Sequence, residues 1–227
     1  LAEDLKPNRL EAAKDVAAEF INGRPNDNIG ITLFAGESFT QCPLTVDHAV
    51  LLDMIHNIKC GLIEDGTAVG MGIANAVTRL KDSKAKSKVI ILLTDGTNNK
   101  GDISPMTAAE IAKSFGIRVY TIGVGTNGMA PYPYPVGNTV QYVSMPVEID
   151  EKTLTQIAGT TDGNYFRATS NSKLKEVYEE IDKLEKTKLN VKEYSKREED
   201  YRWFALAAFL CVLLEVLLRN SILKKIP

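Results

Sequence analysis

The sequence predicts an α/β fold, a doubly wound and mostly parallel sheet with helices on both faces, followed by a C-terminal transmembrane helix. Three observations carry that expectation. Amphipathic helical stretches alternate with short apolar runs at the spacing of βαβ units, which build parallel sheets. One run, Lys88 to Leu93 (KVIILL), is apolar almost without interruption, as a strand covered on both faces must be. Finally, residues 201–222 (YRWFALAAFLCVLLEVLLRNSI) are almost wholly apolar from Trp203 to Leu218.

Taken in order, Pro7-Asn8-Arg9 leads into a helix from Leu10 to Ile21, closed by Asn22-Gly23. Asn28 to Phe34 reads as a buried strand, and Ser38 to Leu44 as a short edge strand, because Pro43 cannot donate to a ladder. Asp47 caps a helix through Ile58 with Val50, Leu51, Met54, Ile55 and Ile58 on one face. Thr67 to Leu80 is the next helix, in which Gly70 and Gly72 permit close backbone packing. After the strand at 88–93, Ser104-Pro105 starts a helix through Phe115 with proline at its first position, and Gly116 ends it. Arg118 to Ile122 is the following strand. From Thr126 to Pro146 the pattern lapses around Pro131-Tyr132-Pro133-Tyr134-Pro135, which reads as a semi-extended aromatic surface insertion. Asp150 to Ala158 is helical and Asn164 to Ala168 a last strand. Ser170 or Asn171 then caps a charged helix through Glu193, with Leu174, Val177, Ile181 and Leu184 inward.

The 227 residues suffice for one α/β domain plus an appendage. A net charge of -2 leaves no basic footprint, which argues against nucleic acid as a partner. In the appendage, about 20 helical residues at roughly 1.5 Å rise cover roughly 30 Å, one bilayer core. Tyr201 and Trp203 suit one membrane interface, and Arg219, Lys224 and Lys225 close the other end. A buried C-terminal helix is the competing reading, but no polar face exists before Glu215, which has Arg219 four residues on as a helix partner. The expected organisation is a domain over 1–190, a charged linker over 191–200, a transmembrane helix over 201–222 and a basic tail over 223–227. Basic residues lie on both sides of the span, so charge alone does not orient it. Three cysteines make no disulfide framework; Cys42 and Cys60 flank a predicted helix, and spacing leaves their pairing open.

Gly123-Val124-Gly125-Thr126-Asn127-Gly128 is a literal G-x-G-x-x-G after a strand. A dinucleotide site needs those glycines to open a helix, and Met129-Ala130-Pro131-Tyr132-Pro133 cannot begin one. The two histidines, His48 and His56, stand two helical turns apart, too far to share a metal, and they leave nucleophilic catalysis without a convincing base. The pair that points to chemistry is Thr67, in Asp65-Gly66-Thr67-Ala68-Val69-Gly70, and Asp95, in Leu92-Leu93-Thr94-Asp95-Gly96. A hydroxyl ahead of one helix and a carboxylate at a strand's C-terminal end can share one hard cation of the Mg²⁺ type through oxygens. The C-terminal edge of a parallel sheet is where such folds bind ligands.

These two loops resemble the second and third loops of the metal-ion-dependent adhesion site in von Willebrand factor type A (vWA) domains. Asn98-Asn99, Gly101-Asp102-Ile103, Val119 to Gly125, Asp150-Glu151, Gly163 to Ala168 and the terminal apolar helix extend the likeness to the Bacteroides aerotolerance (Bat) branch, over nearly the whole chain. The resemblance implies Thr67 and Asp95 as metal ligands, Mg²⁺ or another divalent cation as the cofactor, and a partner protein that offers a carboxylate to the ion. It also implies a bacterial inner-membrane location with the domain in the periplasm, other Bat-type membrane proteins and a MoxR-type AAA+ ATPase as associates, and no enzymatic activity. The family's first loop, Asp-x-Ser-x-Ser, has no counterpart here, because Leu1-Ala2-Glu3-Asp4 runs straight into the first helix. The expectation is an N-terminally incomplete vWA domain that misses its first strand and that loop. A chelatase-like enzyme subunit and a structural assembly factor with a vestigial metal site are the alternatives.

Overall fold

The computed structural model describes residues 2–137, 139–194, 206, 208–210, 212, 215 and 216, with side-chain surroundings as far as residue 186 and at those last isolated positions. The elements are α1 (Arg9–Asn22), β1 (Ile29–Phe34), β2 (Ser38–Thr45), α2 (His48–His56), α3 (Val69–Leu80), β3 (Lys88–Thr94) and α4 (Pro105–Ser114). They continue with β4 (Ile117–Val124), β5 (Met129–Val136), β6 (Thr139–Pro146), α5 (Glu151–Thr160), β7 (Tyr165–Ala168) and α6 (Asn171–Tyr194). Two compact units result, Leu1–Glu185 and Lys186–Pro227.

Local chemistry sets most of the boundaries. Asn8, Asp47, Ser104 and Asp150 each accept a hydrogen bond from a main-chain N–H three residues on, at the start of α1, α2, α4 and α5. Each such cap is worth about 1 kcal/mol. Of the two candidates ahead of α6, Ser170 is the cap and accepts from the Lys173 N–H. Asn171 instead exchanges two hydrogen bonds with the main chain of Lys6.

β3, β4 and β7 form a parallel sheet in the order β3-β4-β7, with Lys88 opposite Ile117 and Thr121 opposite Tyr165. Successive side chains of a strand point to opposite faces, and both faces are covered. Ile90, Leu92, Ile117 and Val119 pack under α3, α4 and α5 with Ile73, Val77, Ala108, Ala112 and Ile157. Tyr120, Ile122 and Val124 pack on the other face under α1 and α6 with Val16, Leu174, Val177 and Ile181. β1 and β2 pair antiparallel as a separate ribbon, with a bulge where Pro43 interrupts β2. Gly30 permits it, since a Cβ there would lie 3.0 Å from the Cys42 carbonyl oxygen. Ile21, Leu51, Ile55 and Ile58 close a third cluster against this ribbon.

Several expectations change. α3 begins at Val69, so Thr67 lies in the loop ahead of it. Val50 is exposed, leaving Leu51 and Ile55 as the buried residues of α2. Residues 126–146 are no irregular insertion: β5 and β6 pair antiparallel from Met129–Pro146 to Val136–Thr139, and Gly137 (φ +59) begins the turn. Gly70 and Gly72 do pack closely; a Cβ would fall 2.0 Å from the Ile103 carbonyl oxygen at Gly70 and 2.9 Å from the Phe34 ring at Gly72. Cys42 and Cys60 are both free thiols. Among the described residues no helix is long and apolar enough to cross a membrane. The span expected at 201–222 lies largely outside the described residues, as do Arg219, Cys211 and the basic tail.

Candidate metal site

β3 delivers its last residue, Thr94, to the C-terminal edge of the parallel sheet, and the Gly96 N–H donates to the Thr94 hydroxyl at 3.3 Å, turning the chain. Asp95 is thereby presented at the edge with its side chain 56% exposed. Thr67 reaches the same place from the loop ahead of α3. Its N–H donates to Asn99 Oδ1 at 2.8 Å and its carbonyl accepts from the Asn99 N–H at 3.0 Å. The Val69 N–H donates to Asn98 Oδ1 at 2.9 Å, so Asn98 supplies the cap that α3's own Ala68 cannot. The two loops are held together by these bonds, and the Thr67 hydroxyl ends 3.1 Å from where a Cβ on Gly96 would sit. Glycine at 96 leaves the hydroxyl its room beside Asp95.

A charged relay backs the edge. Arg9, the first residue of α1, donates from Nη1 to Asp95 Oδ2 at 3.1 Å. Its Nε and Nη2 donate to the two oxygens of Asp4, each at 2.7 Å, a bidentate pair. The Asp4 side chain is 2% exposed and also accepts from the N–H of Thr126 at 2.8 Å and its hydroxyl at 3.2 Å. Burial alone would raise the Asp4 carboxyl, but the hydrogen bonds from Arg9 and Thr126 and the guanidinium charge outweigh it and hold it well below the usual carboxylate range. Gly125, the second glycine of the rejected nucleotide motif, has its physical reason here. Its φ is +138, and a Cβ would meet Arg9 Nη2 at 2.7 Å. Arg167 fixes the same turn by donating to the carbonyls of Gly125 and Thr126.

The structure thus brings the Thr67 and Asp95 loops together, and it adds Asp4, Arg9, Asn98 and Asn99, which sequence reasoning did not place at the edge. Asn98 and Asn99 had a signal, side chains able to bond neighbouring backbone straight after Thr-Asp-Gly. The Arg9–Asp95 contact, 86 residues apart, had none. The histidines serve locally: one His48 ring nitrogen meets the Asp27 carbonyl and one of His56 the Leu52 carbonyl. Chemically, Thr67 and Asp95 suit a hard cation as two oxygen donors. They are not a full set, and the Arg9 charge on Asp95 opposes a cation there. Among the described residues no group of three acidic, histidine or cysteine side chains could hold an ion.

Residues 3–180 match the model of the von Willebrand factor type A domain. A crystal structure of an aerotolerance-related membrane protein from Bacteroides fragilis is 30% identical, covers 81% of this chain and 90% of its own, and superposes with a TM-score of 0.70. BatB from Bacteroides thetaiotaomicron is 33% identical, with 82% and 93% covered and the same TM-score. Proximal thread matrix protein 1 of the mussel byssus, whose structure has a zinc-occupied MIDAS motif, is 24% identical with a TM-score of 0.61 over 81% of this chain and 43% of its own, a likeness of fold. Among curated relatives, an uncharacterised Borreliella burgdorferi protein is 27% identical over 96% of this chain, and a UPF0353 protein of Nocardia farcinica 31% identical over 80%. This chain spans 64% and 58% of their respective lengths. The chain belongs to the von Willebrand factor type A domain family, in its Bacteroides aerotolerance branch.

Proposed function

We propose that this chain, once joined to the first loop of its family, is a membrane-anchored protein-interaction module that recognises a partner's carboxylate through a divalent cation. The observation that carries the reading is the juxtaposition at one sheet edge of the Thr67 hydroxyl and Asp95, with Gly96 leaving space between the loops. Both donors are oxygens, the ligand type that Mg²⁺ takes, and this ion keeps several waters of its own. A family-type first loop, Asp-x-Ser-x-Ser, which has no counterpart among these residues, would supply the remaining oxygens. A cation held there would offer its charge to an acidic side chain of the partner, which would strengthen that contact. The mussel protein, which shares the fold, has a structure with a zinc-occupied MIDAS motif.

The membrane anchor rests on the apolar segment 201–222 and on relatives named as membrane proteins. Family resemblance suggests the inner membrane, a periplasmic domain over 1–190, and association with other Bat-type proteins and a MoxR-type AAA+ ATPase in stress or oxygen tolerance. The module itself is not an enzyme in this reading.

One observation favours a second reading. Arg9 already satisfies Asp95, which is what a structural assembly factor with a vestigial metal site would show. Affinity capture from detergent-solubilised membranes separates the two. With the Asp-x-Ser-x-Ser loop joined ahead of Leu1, the module reading expects a partner retained with Mg²⁺, released by a chelator and lost in Asp95→Ala. Capture indifferent to metal and to Asp95 refutes it, and hydrolytic activity of the purified chain refutes the non-enzymatic assignment.

A further inference from the structure

The β5–β6 hairpin has two unlike edges. The Val147 N–H donates to the Gly128 carbonyl at 2.7 Å, so the pair just before Met129–Pro146 is a hydrogen-bonded one. Alternation then makes Pro131–Ser144, Pro133–Tyr142 and Pro135–Val140 non-hydrogen-bonded pairs, whose main-chain groups point out of the ribbon. The Glu3 N–H fixes the same phase independently, because it donates at 2.9 Å to the outward carbonyl of Pro131. All three prolines of β5 therefore stand where an N–H would face outward. They remove no bond to β6, and they strip that outer edge of donors at 131, 133 and 135, a device that blocks strand addition.

The other edge is open. Along β6 the outward positions are Val140, Tyr142 and Ser144, each with an N–H and a carbonyl, and among the described residues no main chain pairs with them. Every residue of β6 is exposed, Val140 at 57% and Tyr142 at 59%. Neither β5 nor β6 contains a charged residue, so this edge lacks the lysines that usually protect one.

We infer that β6 is a self-association edge, where a second copy of this chain adds its own β6 antiparallel to make the four-stranded sheet β5-β6-β6-β5. The occupant follows from symmetry and charge. Val140 and Ser144 lie two residues either side of Tyr142, so a two-fold axis at Tyr142 sets Val140 against the second copy's Ser144 and Tyr142 against its equivalent. Each of these pairs exchanges both main-chain bonds. Neither β6 carries a charged residue to meet its like across the axis, the Tyr142 hydroxyl donates to Glu3 of its own copy at 3.2 Å, and Pro146 ends the ladder.

Sedimentation velocity of the detergent-solubilised full chain tests this. Wild type is expected to dimerise reversibly with concentration. Ser144→Pro copies on β6 the arrangement of β5: it leaves the β5 ladder intact but removes two intermolecular bonds per dimer. Association should weaken about thirtyfold, with circular dichroism and melting unchanged. Tyr142→Lys and Tyr142→Glu should each be monomeric, since like charges face each other across the axis, and their mixture should regain a heterodimer. In a Cys60→Ser, Cys211→Ser background, Tyr142→Cys should form an interchain disulfide, because hydrogen-bonded pairs hold Cα atoms about 5.5 Å apart. A wild type that stays monomeric overturns the inference, as expected if the edge serves a strand from another protein. A dimer that survives Ser144→Pro and both charge variants overturns it too, by locating the contact elsewhere.

Discussion

Asp4→Asn tests the charged relay behind the candidate site. The substitution keeps the shape of the side chain and deletes the charge that Arg9 grips through two 2.7 Å bonds. The Arg9 side chain, 10% exposed, is left with the half-exposed Asp95 as its charged partner. Removing one partner of a buried pair costs about 3–5 kcal/mol, and the surviving Asp95 contact sets the expectation at the low end, about 3 kcal/mol. For a domain of this size each kcal/mol shifts the melting temperature by roughly 2–4 °C, so the variant should melt about 9 °C lower.

The pH dependence has a definite sign. The folded Asp4 carboxyl lies below its unfolded value of about 3.9, so its stabilising contribution is fully present at neutral pH. That contribution begins to be lost as pH falls through the unfolded value and goes on falling towards the folded one. The gap between parent and Asp4→Asn should therefore narrow from about pH 5 to pH 3. Urea denaturation followed by circular dichroism at several pH values reads both effects. The double variant Asp4→Asn/Arg9→Met, which removes both buried charges, should be less destabilised than the sum of the single variants by at least about 1 kcal/mol. A loss below about 1 kcal/mol, a gap constant with pH, or strict additivity would refute the coupling described for Asp4 and Arg9.

Gly70→Ala should lose about 3 kcal/mol in chemical denaturation, because the new methyl falls 2.0 Å from the Ile103 carbonyl oxygen and must push α3 off the loop after Asp95. Gly159→Ala, in α5 with nothing within 4 Å of a Cβ, should instead gain about 0.5–1 kcal/mol. Tyr120→Phe removes the hydroxyl that donates to buried Glu185 at 2.6 Å and leaves that carboxylate to Arg118 and Ser87; the urea midpoint should fall by the equivalent of about 1–2 kcal/mol. The full chain should fractionate with membranes and a chain ending at Lys192 should stay soluble; both remaining soluble would contradict the span reading of 201–222.

Periodicity made the scaffold legible. KVIILL is β3, the caps at Asp47 and Ser104 are where side-chain chemistry demanded them, and the glycines of α3 pack tightly. The hairpin was not legible, because alternate prolines look like a loop until pairing shows that they face away from the partner strand. Thr67 and Asp95 were readable as a pair because each sits at a fixed offset from a helix or strand. Their surroundings were not: the Arg9 contact with Asp95 exists only after α1 packs behind the parallel sheet, and no spacing rule reaches across 86 residues. Asn98 as the cap of α3 is equally non-local, since it substitutes for a cap that Ala68 lacks.

Calorimetric titration with Mg²⁺ of three forms tests the central claim most directly: the chain as it stands, the chain with an Asp-x-Ser-x-Ser strand and loop joined ahead of Leu1, and that extended chain carrying Asp95→Ala. Two protein oxygens compete poorly with the ion's own water, and Arg9 must release Asp95, so the first form should bind weakly or undetectably. The extended form should bind and gain thermal stability with added metal, because a ligand of the folded state alone shifts unfolding by mass action. Asp95→Ala should abolish both effects. Equal affinity in all three forms would make Asp95 a turn residue and contradict the assignment of this edge to a metal ion.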